Sequence, residues 1–245
     1  MRITAVIPAR LDSKRFPRKV LYPFKGRPLI AHLYNELSKS KEIDRLVIAT
    51  SDKEIRDAAQ TFGAETVKTS SRHKTGSDRA AEVVEKIGGD IVLNIQGDNF
   101  GLNVKVLDSI IQKFKTERKL QFATLANKIN SDAELKDSNN VKVVLDKNCN
   151  AILFSRSVIP FLQNFQKKNM SSQFTFYHHI GIYLYRRSGL LQYASWKQSE
   201  LEKAESLEQL RILENSEKIR VFKTKMRPVS IDTLAEMKKI EKKYR

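Results

Sequence analysis

The 245-residue sequence contains a single cysteine, Cys149, and no apolar run long enough to span a bilayer. One cysteine excludes an internal disulfide and is typical of a protein from a reducing compartment. The N-terminal stretch MRITAVIPAR has too few apolar residues for a signal peptide and reaches Arg10 at once. These absences together predict a cytoplasmic protein with no membrane partner.

Glycine-rich phosphate loops are also missing from the sequence. Neither Gly-x-x-x-x-Gly-Lys-Ser/Thr nor Gly-x-Gly-x-x-Gly occurs, which excludes a P-loop and a dinucleotide-binding fingerprint. The formal charge of +17, from 45 Lys and Arg against 28 Asp and Glu, would suit a nucleic-acid partner. However, helix-turn-helix, zinc-finger and base-stacking signatures are absent, and MKKIEKKYR is spaced like the polar face of a helix. We therefore expect solvated lysine-rich surfaces and no nucleic-acid partner.

The first half of the chain alternates short apolar runs with helical patterns. The runs ITAVIPA, DRLVIAT and DIVLNI predict buried strands, and helical spacing follows Pro28 at Leu29, Ile30, Leu33 and Leu37. Such alternation predicts an α/β fold that is Rossmann-like, with a mainly parallel sheet and helices on both faces.

The second half is richer in strand-like runs. VKVVLD, NAILFSR, HHIGIYLYR and KIRVFKT predict strands, and the polar segment Gln163–Gln173 predicts a surface excursion. Between the last two of these strands, one helix is predicted with a shared face made by Leu207, Leu210 and Leu213. Because no Pro/Gly-rich linker and no repeat interrupts the chain, we expect a single domain over 1–245. A small β-rich arm is expected as an insertion within roughly 135–190.

A strongly basic loop follows the first predicted strand. The segment PARLDSKRFPRK carries five cations, which are Arg10, Lys14, Arg15, Arg18 and Lys19. Ligands of open parallel sheets bind beyond the carboxyl ends of the strands, where this loop should lie. Arg offers a bidentate fork to phosphate oxygens and Lys a mobile charge. The loop therefore predicts phosphate binding, although a solvated basic surface is the alternative.

Two carboxylates follow other predicted strands. Asp98 ends the run DIVLNIQGD, and Asp232 ends the short run VSID before the terminal helix. Mg²⁺ takes one or two carboxylates together with substrate phosphate oxygens, so this pair predicts a Mg²⁺ site beside a triphosphate. The alternatives are a turn-forming aspartate at Asp98 and a helix N-cap at Asp232.

Several segments, taken in order, resemble one known family. They include VIPARLDSKRFPRKVL, HKTGSDRAAEVVEK, NIQGD, VKVVLD, HHIGIYLYR, ESLEQLRILENSEKIRV and IDT. The chain resembles the 3-deoxy-D-manno-octulosonate cytidylyltransferases, or CMP-Kdo synthetases, over nearly its whole length. The resemblance implies a nucleotidyltransferase fold and a homodimer made through the inserted arm. It also implies Mg²⁺-dependent transfer of CMP from CTP to a 2-keto sugar acid, Kdo or a close analogue, for lipopolysaccharide synthesis. Pyrophosphate would be released.

The resemblance also implies roles for individual residues. Arg10 and Lys19 match positions that hold the triphosphate, and Asp98 and Asp232 match the metal-binding acids; these four are the predicted catalytic residues. The predicted nucleotide-binding residues are Pro8, Ala9, Arg10, Lys19, Thr75, Gly76, Arg79 and Gln96. The predicted residues for the sugar acid are Gln96, Arg156, His179, Tyr183, Glu208 and Gln209. For His179 the alternative is a hydrogen-bonded core histidine, and for Glu208 an exposed helix residue.

The sequence departs from the family pattern directly after Asp98. Asn99 and Phe100 stand where the family typically has Glu-Pro. The change removes a negative charge beside the predicted metal and adds apolar surface. The acceptor therefore stays open between Kdo, a modified sugar acid such as amino-Kdo, and a phosphonate. A non-catalytic nucleotide- or RNA-binding protein on the same scaffold is the alternative from another class.

Overall fold

The computed structural model describes residues 1–13, 15–164, 166, 168–231 and 233–243. Two residues with predicted roles, Lys14 and Asp232, lie outside the described residues. The chain forms two compact units: Met1–Lys113 with Arg227–Arg245, and Phe114–Met226. Residues 135–190, the predicted arm, fall within the second unit, and the single-domain organisation stays a prediction. Among the described residues, none of the helices combines the length and apolar character that crossing a bilayer requires.

The described strands are β1 Ile3–Pro8, β2 Pro23–Phe24, β3 Arg27–Pro28, β4 Arg45–Thr50, β5 Thr66–Lys68, β6 Ile91–Ile95, β7 Asn99–Phe100, β8 Phe122–Lys128, β9 Lys142–Leu145, β10 Ala151–Ser155, β11 Tyr177–Arg186, β12 Ile219–Lys223 and β13 Val229–Ser230. The described α-helices are α1 Leu29–Leu37, α2 Lys53–Gln60, α3 Gly76–Ile87, α4 Val104–Thr116, α5 Asp132–Lys136, α6 Met170–Gln173, α7 Arg187–Ser195, α8 Glu200–Glu205, α9 Leu210–Glu214 and α10 Leu234–Lys243. A 3₁₀ turn covers Lys19–Leu21.

The first unit contains a parallel sheet in the order β6–β1–β4–β5. Every residue of β1 and β6 is buried, as expected for central strands that are covered on both faces. Because the strands are parallel, the loops after β1, β4 and β6 leave the same edge of the sheet. The predicted α/β fold with a mainly parallel sheet is thereby confirmed.

A short antiparallel pairing returns the C-terminal segment to this edge. Phe100 of β7 pairs with Val229 of β13, and Asn99 pairs with Ser230. Beyond the pair, the Ile231 N–H donates to the Asp98 carbonyl over 3.1 Å. The pairing therefore joins the turn at Asp98 to residues that lie 130 positions later in the chain.

An apolar cluster in the first unit supports the same turn. Its buried members are Phe16, Phe24, Leu29, Ile231, Met237 and Ile240. The Phe100 ring packs against this cluster, edge-on to Phe24 with 5.5 Å between the ring centroids. Phe100 is only partly buried, so this packing stabilises the turn by less than the roughly 1.5–3 kcal/mol of full burial. The cluster therefore ties the basic loop, the Asp98 turn and α10 together.

The second unit contains a mixed sheet in the order β10–β9–β11–β8–β12. The β12 strand runs parallel to β8, and the other pairings are antiparallel. The strands predicted from VKVVLD, NAILFSR, HHIGIYLYR and KIRVFKT are all present.

The prediction of one helix through Leu207, Leu210 and Leu213 is wrong. Helix α8 ends at Glu205 because Ser206 adopts a left-handed conformation, with φ 54°, and α9 begins only at Leu210. A buried ion pair links the two helices: Arg211 donates two hydrogen bonds of 2.7 Å to the Glu202 carboxylate. Leu207, in the connection, and Leu210, on α9, are both buried, so the apolar spacing in the sequence continues across the start of a helix.

Candidate active site

The ends of β1 and β6 are in close contact in the first unit. Gly97 follows β6, and a Cβ atom on Gly97 would lie 3.2 Å from the Pro8 carbonyl oxygen. Beyond Pro8, the Ala9 N–H donates to the Ala49 carbonyl over 2.9 Å, so the contact of this segment with β4 continues to the residue before Arg10. The first part of the basic loop therefore starts beside the Gln96-Gly97-Asp98 turn.

Helix α3 begins against the same two strand ends. A Cβ atom on Gly76 would lie 2.6 Å from Gln96 Nε2 and 3.1 Å from Pro8 Cγ, so these groups pack directly against the Gly76 backbone. Thr75 is the N-cap: its hydroxyl accepts the Asp78 N–H over 3.1 Å, and its own N–H donates to the Asp78 carboxylate. The structure therefore brings together Pro8, Gly76 and Gln96, with Thr75 at the helix start.

Arg79 lies one turn into α3 and is 5% exposed. Its Nη1 atom donates to the Thr69 hydroxyl. Burial lowers the pKa of Arg79, the Asp52 charge opposes this effect, and the Arg10 charge adds to it. Arg10 and Arg79 therefore lie within electrostatic range of each other, with Asp52 as a counter-charge.

Asp98 forms an ion pair with Lys19. The two side chains are only 17% and 12% exposed. The turn itself is closed by Asn99, whose backbone N–H and side-chain amide donate to the Gln96 carbonyl over 3.1 and 3.2 Å. The Asp98 carboxylate thus faces a cation. If Asp98 were only a turn-forming residue, its carboxylate would accept the hydrogen bonds that close the turn, and Asn99 does this instead.

Not every cation of the basic loop faces the Asp98 turn. Arg18 adopts a left-handed conformation, with φ 61°, and its guanidinium pairs with Glu54. The change of direction at Arg18 precedes the 3₁₀ turn that carries Lys19. The loop therefore divides its cations between the site and the surface.

The two residues that depart from the family pattern both pack within the first unit. Asn99 is 7% exposed and holds the turn through the Gln96 carbonyl. Phe100 joins the apolar cluster described above. Both side chains therefore support the turn that carries Asp98.

The donor set at Asp98 fits a hard divalent cation. Its carboxylate already contacts an ammonium group, and Mg²⁺ needs few carboxylates when phosphate oxygens supply further ligands. Among the described residues, no group of three or more His, Cys, Asp or Glu side chains could hold a metal on its own. Asp98 therefore suits a metal that arrives with a phosphate-bearing ligand.

In the second unit, His179 belongs to a buried chain of hydrogen bonds. The Tyr183 hydroxyl donates to Gln209 Oε1 over 3.0 Å, and Gln209 Nε2 lies 3.5 Å from His179 Nδ1. The Thr124 hydroxyl donates to the Ile182 carbonyl, so it accepts from His179 Nε2 over 2.9 Å. Burial, helped by the neighbouring His178, lowers the pKa of His179 to about 3. His179 is thus neutral and held in one tautomer.

Glu208 lies near this chain of hydrogen bonds. Burial and then the Glu208 charge raise the pKa of Tyr183 well above its usual value. The structure therefore brings together Tyr183, Gln209 and His179, with Glu208 in electrostatic range. The alternative for His179, a hydrogen-bonded core histidine, is compatible with the same contacts.

Arg156 is held by a separate set of hydrogen bonds. Its Nε donates to the Glu205 carbonyl over 2.8 Å, and its Nη1 donates to the Ser138 carbonyl over 3.1 Å. The Glu205 carboxylate accepts from the Arg156 N–H and from the Ser155 hydroxyl. The guanidinium is therefore fixed to the backbone of the second unit.

The sequence prediction missed two acidic residues that organise the first unit. Asp52 follows β4, and its Oδ2 atom accepts the Leu11 N–H over 2.8 Å. Glu82 holds the loop before α3: it accepts from the Ser70 N–H, from His73 and from Lys86. Although partial burial raises the pKa of Glu82, these hydrogen bonds outweigh burial and lower it to about 2. Asp52 could have been found by the strand-end rule that selected Asp98.

Comparisons with known proteins identify the family of this chain. The profile of a family described as "Cytidylyltransferase" matches residues 4–219. A 3-deoxy-manno-octulosonate cytidylyltransferase of Francisella tularensis subsp. holarctica is 41% identical over 99% of this chain and 98% of its own length. The enzyme of the same description from Pelobacter propionicus is 38% identical over 100% and 98%.

A solved structure matches as well. It is that of a CMP:2-keto-3-deoxy-manno-octonic acid synthetase complexed with CTP, with a TM-score of 0.91 and 34% identity over 100% of this chain and 98% of that one. The fold and the strand-end site thus define a nucleotidyltransferase. The chain belongs to the cytidylyltransferase family, and within it to the 3-deoxy-manno-octulosonate cytidylyltransferases.

Proposed function

We propose that this chain transfers CMP from CTP to 3-deoxy-manno-octulosonate, releases pyrophosphate and so activates this sugar acid for lipopolysaccharide synthesis. The observation that carries the proposal is the placement of Arg10, Lys19 and Asp98 at one edge of a parallel sheet, in a chain that matches relatives of this activity throughout. A cytoplasmic location is part of the proposal and rests on the single cysteine.

The nucleotide is assigned to the first unit. Pro8, Ala9, Thr75, Gly76 and Gln96 would surround the cytidine, because Gly76 and Gly97 permit the close approach of these groups. The triphosphate would lie against Arg10, Lys19 and Arg79, whose charges oppose its own. Phosphoryl transfer needs mainly positioning and charge stabilisation, and these cations supply both.

Asp98 would hold Mg²⁺, with Asp232 proposed as the second carboxylate. When bound, the metal lowers the pKa of the attacking hydroxyl and neutralises charge on the α-phosphate. The sugar's own anomeric hydroxyl attacks the α-phosphorus, the bond to the β-phosphate oxygen breaks, and pyrophosphate leaves in line. No protein nucleophile takes part in this reaction.

In the second unit, the sugar acid is assigned to Arg156, His179, Tyr183, Glu208 and Gln209. For Gln96, in the first unit, the same role rests on the family resemblance alone. Arg156 is the cation for the acceptor carboxylate. His179 is neutral, because burial holds its pKa near 3, and so it acts as a hydrogen-bonding group. The Glu208 carboxylate would accept hydrogen bonds from sugar hydroxyls. The Tyr183–Gln209 pair, which is itself hydrogen-bonded, would offer both donors and acceptors to the sugar.

A screen of acceptors with CTP and Mg²⁺ tests the substrate. Asn99 and Phe100 pack within the first unit, which favours the acceptor of the relatives, Kdo. Faster CTP consumption with amino-Kdo or a phosphonate would replace Kdo in the proposal. Salt-sensitive binding to RNA without any CTP turnover would favour the non-catalytic alternative.

The Lys19–Asp98 ion pair predicts opposite effects on metal and nucleotide. Lys19→Met should weaken CTP binding about tenfold, because a charge on the triphosphate loses its partner. The same variant should tighten Mn²⁺ binding without nucleotide by about fivefold, since an ion pair of ~1 kcal/mol no longer competes for Asp98. Mn²⁺ electron paramagnetic resonance and CTP calorimetry measure the two effects.

Lys25→Met provides the matched control, because Lys25 is an exposed lysine in the nearby turn between β2 and β3. It should leave both affinities unchanged. If Lys19→Met weakened Mn²⁺ binding, Lys19 would be supporting the metal site and the competition would be refuted.

We propose a homodimer formed through the arm region of the second unit. Ile152 and Leu153 of β10 are 58% and 37% exposed, and Phe161 is 83% exposed. β10 is the last strand of its sheet in the described part of the chain. Apolar side chains on an outer strand are typical of a protein interface.

Ile152→Asp should therefore convert the dimer into a monomer, because a carboxylate would be desolvated in the interface. Light scattering coupled to gel filtration measures the mass. Leu201→Asp is the control, since Leu201 is an exposed apolar residue of α8, and this variant should keep the wild-type mass. A monomeric wild-type protein would rule out the dimer.

A further inference from the structure

Asp52 links the loop after β1 to the end of β4 in the first unit. It directly precedes α2, but its Oδ2 atom accepts the N–H of Leu11, a residue 41 positions earlier, over 2.8 Å. Its Oδ1 atom accepts the Ser51 hydroxyl over 3.3 Å, and its own N–H donates to the Thr50 hydroxyl oxygen. Asp52 thereby fixes the backbone immediately after Arg10.

The negative charge of Asp52 also stabilises the charged form of Arg79. The Arg79 guanidinium is nearly buried, donates to the Thr69 hydroxyl, and lies within electrostatic range of Arg10. Two cations this close repel each other when no anion is present. The carboxylates of Asp52 and Glu82 offset this repulsion, and the effect of Asp52 on the pKa of Arg79 is the larger of the two.

From these contacts we propose that Asp52 is a positioning residue of the nucleotide site. It holds the Arg10 loop through Leu11 and compensates the charge of Arg79 before the triphosphate arrives. This inference rests on the proposed use of CTP. Pre-arranged groups bind more tightly because less order must be created on binding.

The hydrogen bond and the charge of Asp52 can be separated by substitution. Asp52→Asn keeps an oxygen that can accept the Leu11 N–H and removes the charge. Asp52→Ala removes both and leaves the Leu11 N–H without this partner. The first variant is therefore a partial rescue of the second.

Calorimetry of CTP binding to the full chain, combined with steady-state kinetics, tests the proposal. Asp52→Ala should raise the Kd and KM for CTP about tenfold, whereas kcat and the KM for the sugar acid should stay within about twofold. Asp52→Asn should raise the CTP values about threefold. Asp57→Asn is the control, because it removes the same charge from an exposed residue of α2. It should leave the Kd, kcat and both KM values unchanged.

Amide hydrogen exchange provides a readout independent of activity. Exchange at the Leu11 N–H should accelerate in Asp52→Ala and stay near the wild-type rate in Asp52→Asn. The proposal is overturned if Asp52→Ala binds CTP like the wild type, or if kcat and both KM values change together with loss of folding. If the wild-type protein itself failed to bind CTP, the proposed function would be refuted. That outcome differs from failure of the Asp52 proposal, in which the wild type binds CTP and Asp52→Ala binds it equally well.

Discussion

Asp98→Asn is expected to abolish turnover while the protein stays folded. The amide has nearly the same shape but lacks the charge that would hold Mg²⁺ beside the α-phosphate. We expect kcat/KM to fall by at least about a thousandfold, or roughly 4 kcal/mol in the activation barrier. The turn should survive, because Asn99 closes it through the Gln96 carbonyl.

Steady-state kinetics at ordinary Mg²⁺ concentration measure the loss of turnover, and a thermal unfolding curve measures whether the protein stays folded. Asp57→Asn again serves as the control for removal of one surface charge. The same loss of turnover is expected for Asp232→Asn, the second proposed metal ligand. A variant of either residue with a near-wild-type rate would remove that residue from the mechanism.

CTP is expected to be used in preference to UTP by about three to five powers of ten in kcat/KM. A site that accepts a hydrogen bond from the cytosine amine leaves its acceptor unpaired when uracil presents an oxygen there. Candidate acceptors are Gln96 Oε1, the Pro8 and Ala9 carbonyls and the turn Lys74–Ser77. The Pro8 carbonyl lies close to Gly97, and the Gln96 side chain lies close to Gly76.

The comparison requires CTP, UTP and ATP at the same acceptor and Mg²⁺ concentrations, with initial rates of pyrophosphate release. Comparable kcat/KM values for the three nucleotides would contradict the cytosine assignment. They would also weaken the assignment of Pro8, Ala9 and Gln96 to the base.

The first unit was largely predictable from the sequence. Apolar runs located β1, β4 and β6. The rule that parallel strands end at one edge predicted that the basic loop would lie near Asp98, and Lys19 of this loop pairs with Asp98. The pairing of β7 with β13 was not predictable, because each strand has two residues and 130 positions separate them. Strands this short have no periodicity to detect.

The second unit shows what apolar spacing cannot resolve. Leu207, Leu210 and Leu213 recur at helical spacing, but Leu207 lies in the connection after α8 and only Leu210 and Leu213 lie on α9. The Glu202–Arg211 pair looks in the sequence like two ordinary surface charges, and only the fold buries it. The predicted roles of His179 and Glu208 came from family resemblance, since their chemistry depends on neighbours far away in sequence.

The central claim is tested most directly by pyrophosphate release from CTP, with the product identified by ³¹P nuclear magnetic resonance. We expect release only when CTP, Kdo and Mg²⁺ are all present, together with one phosphodiester product that joins CMP to the sugar acid. Removal of the metal with a chelator should stop the reaction, and added Mg²⁺ should restore it. Pyrophosphate release at the same rate without Kdo, or no release with all three components, would contradict the account.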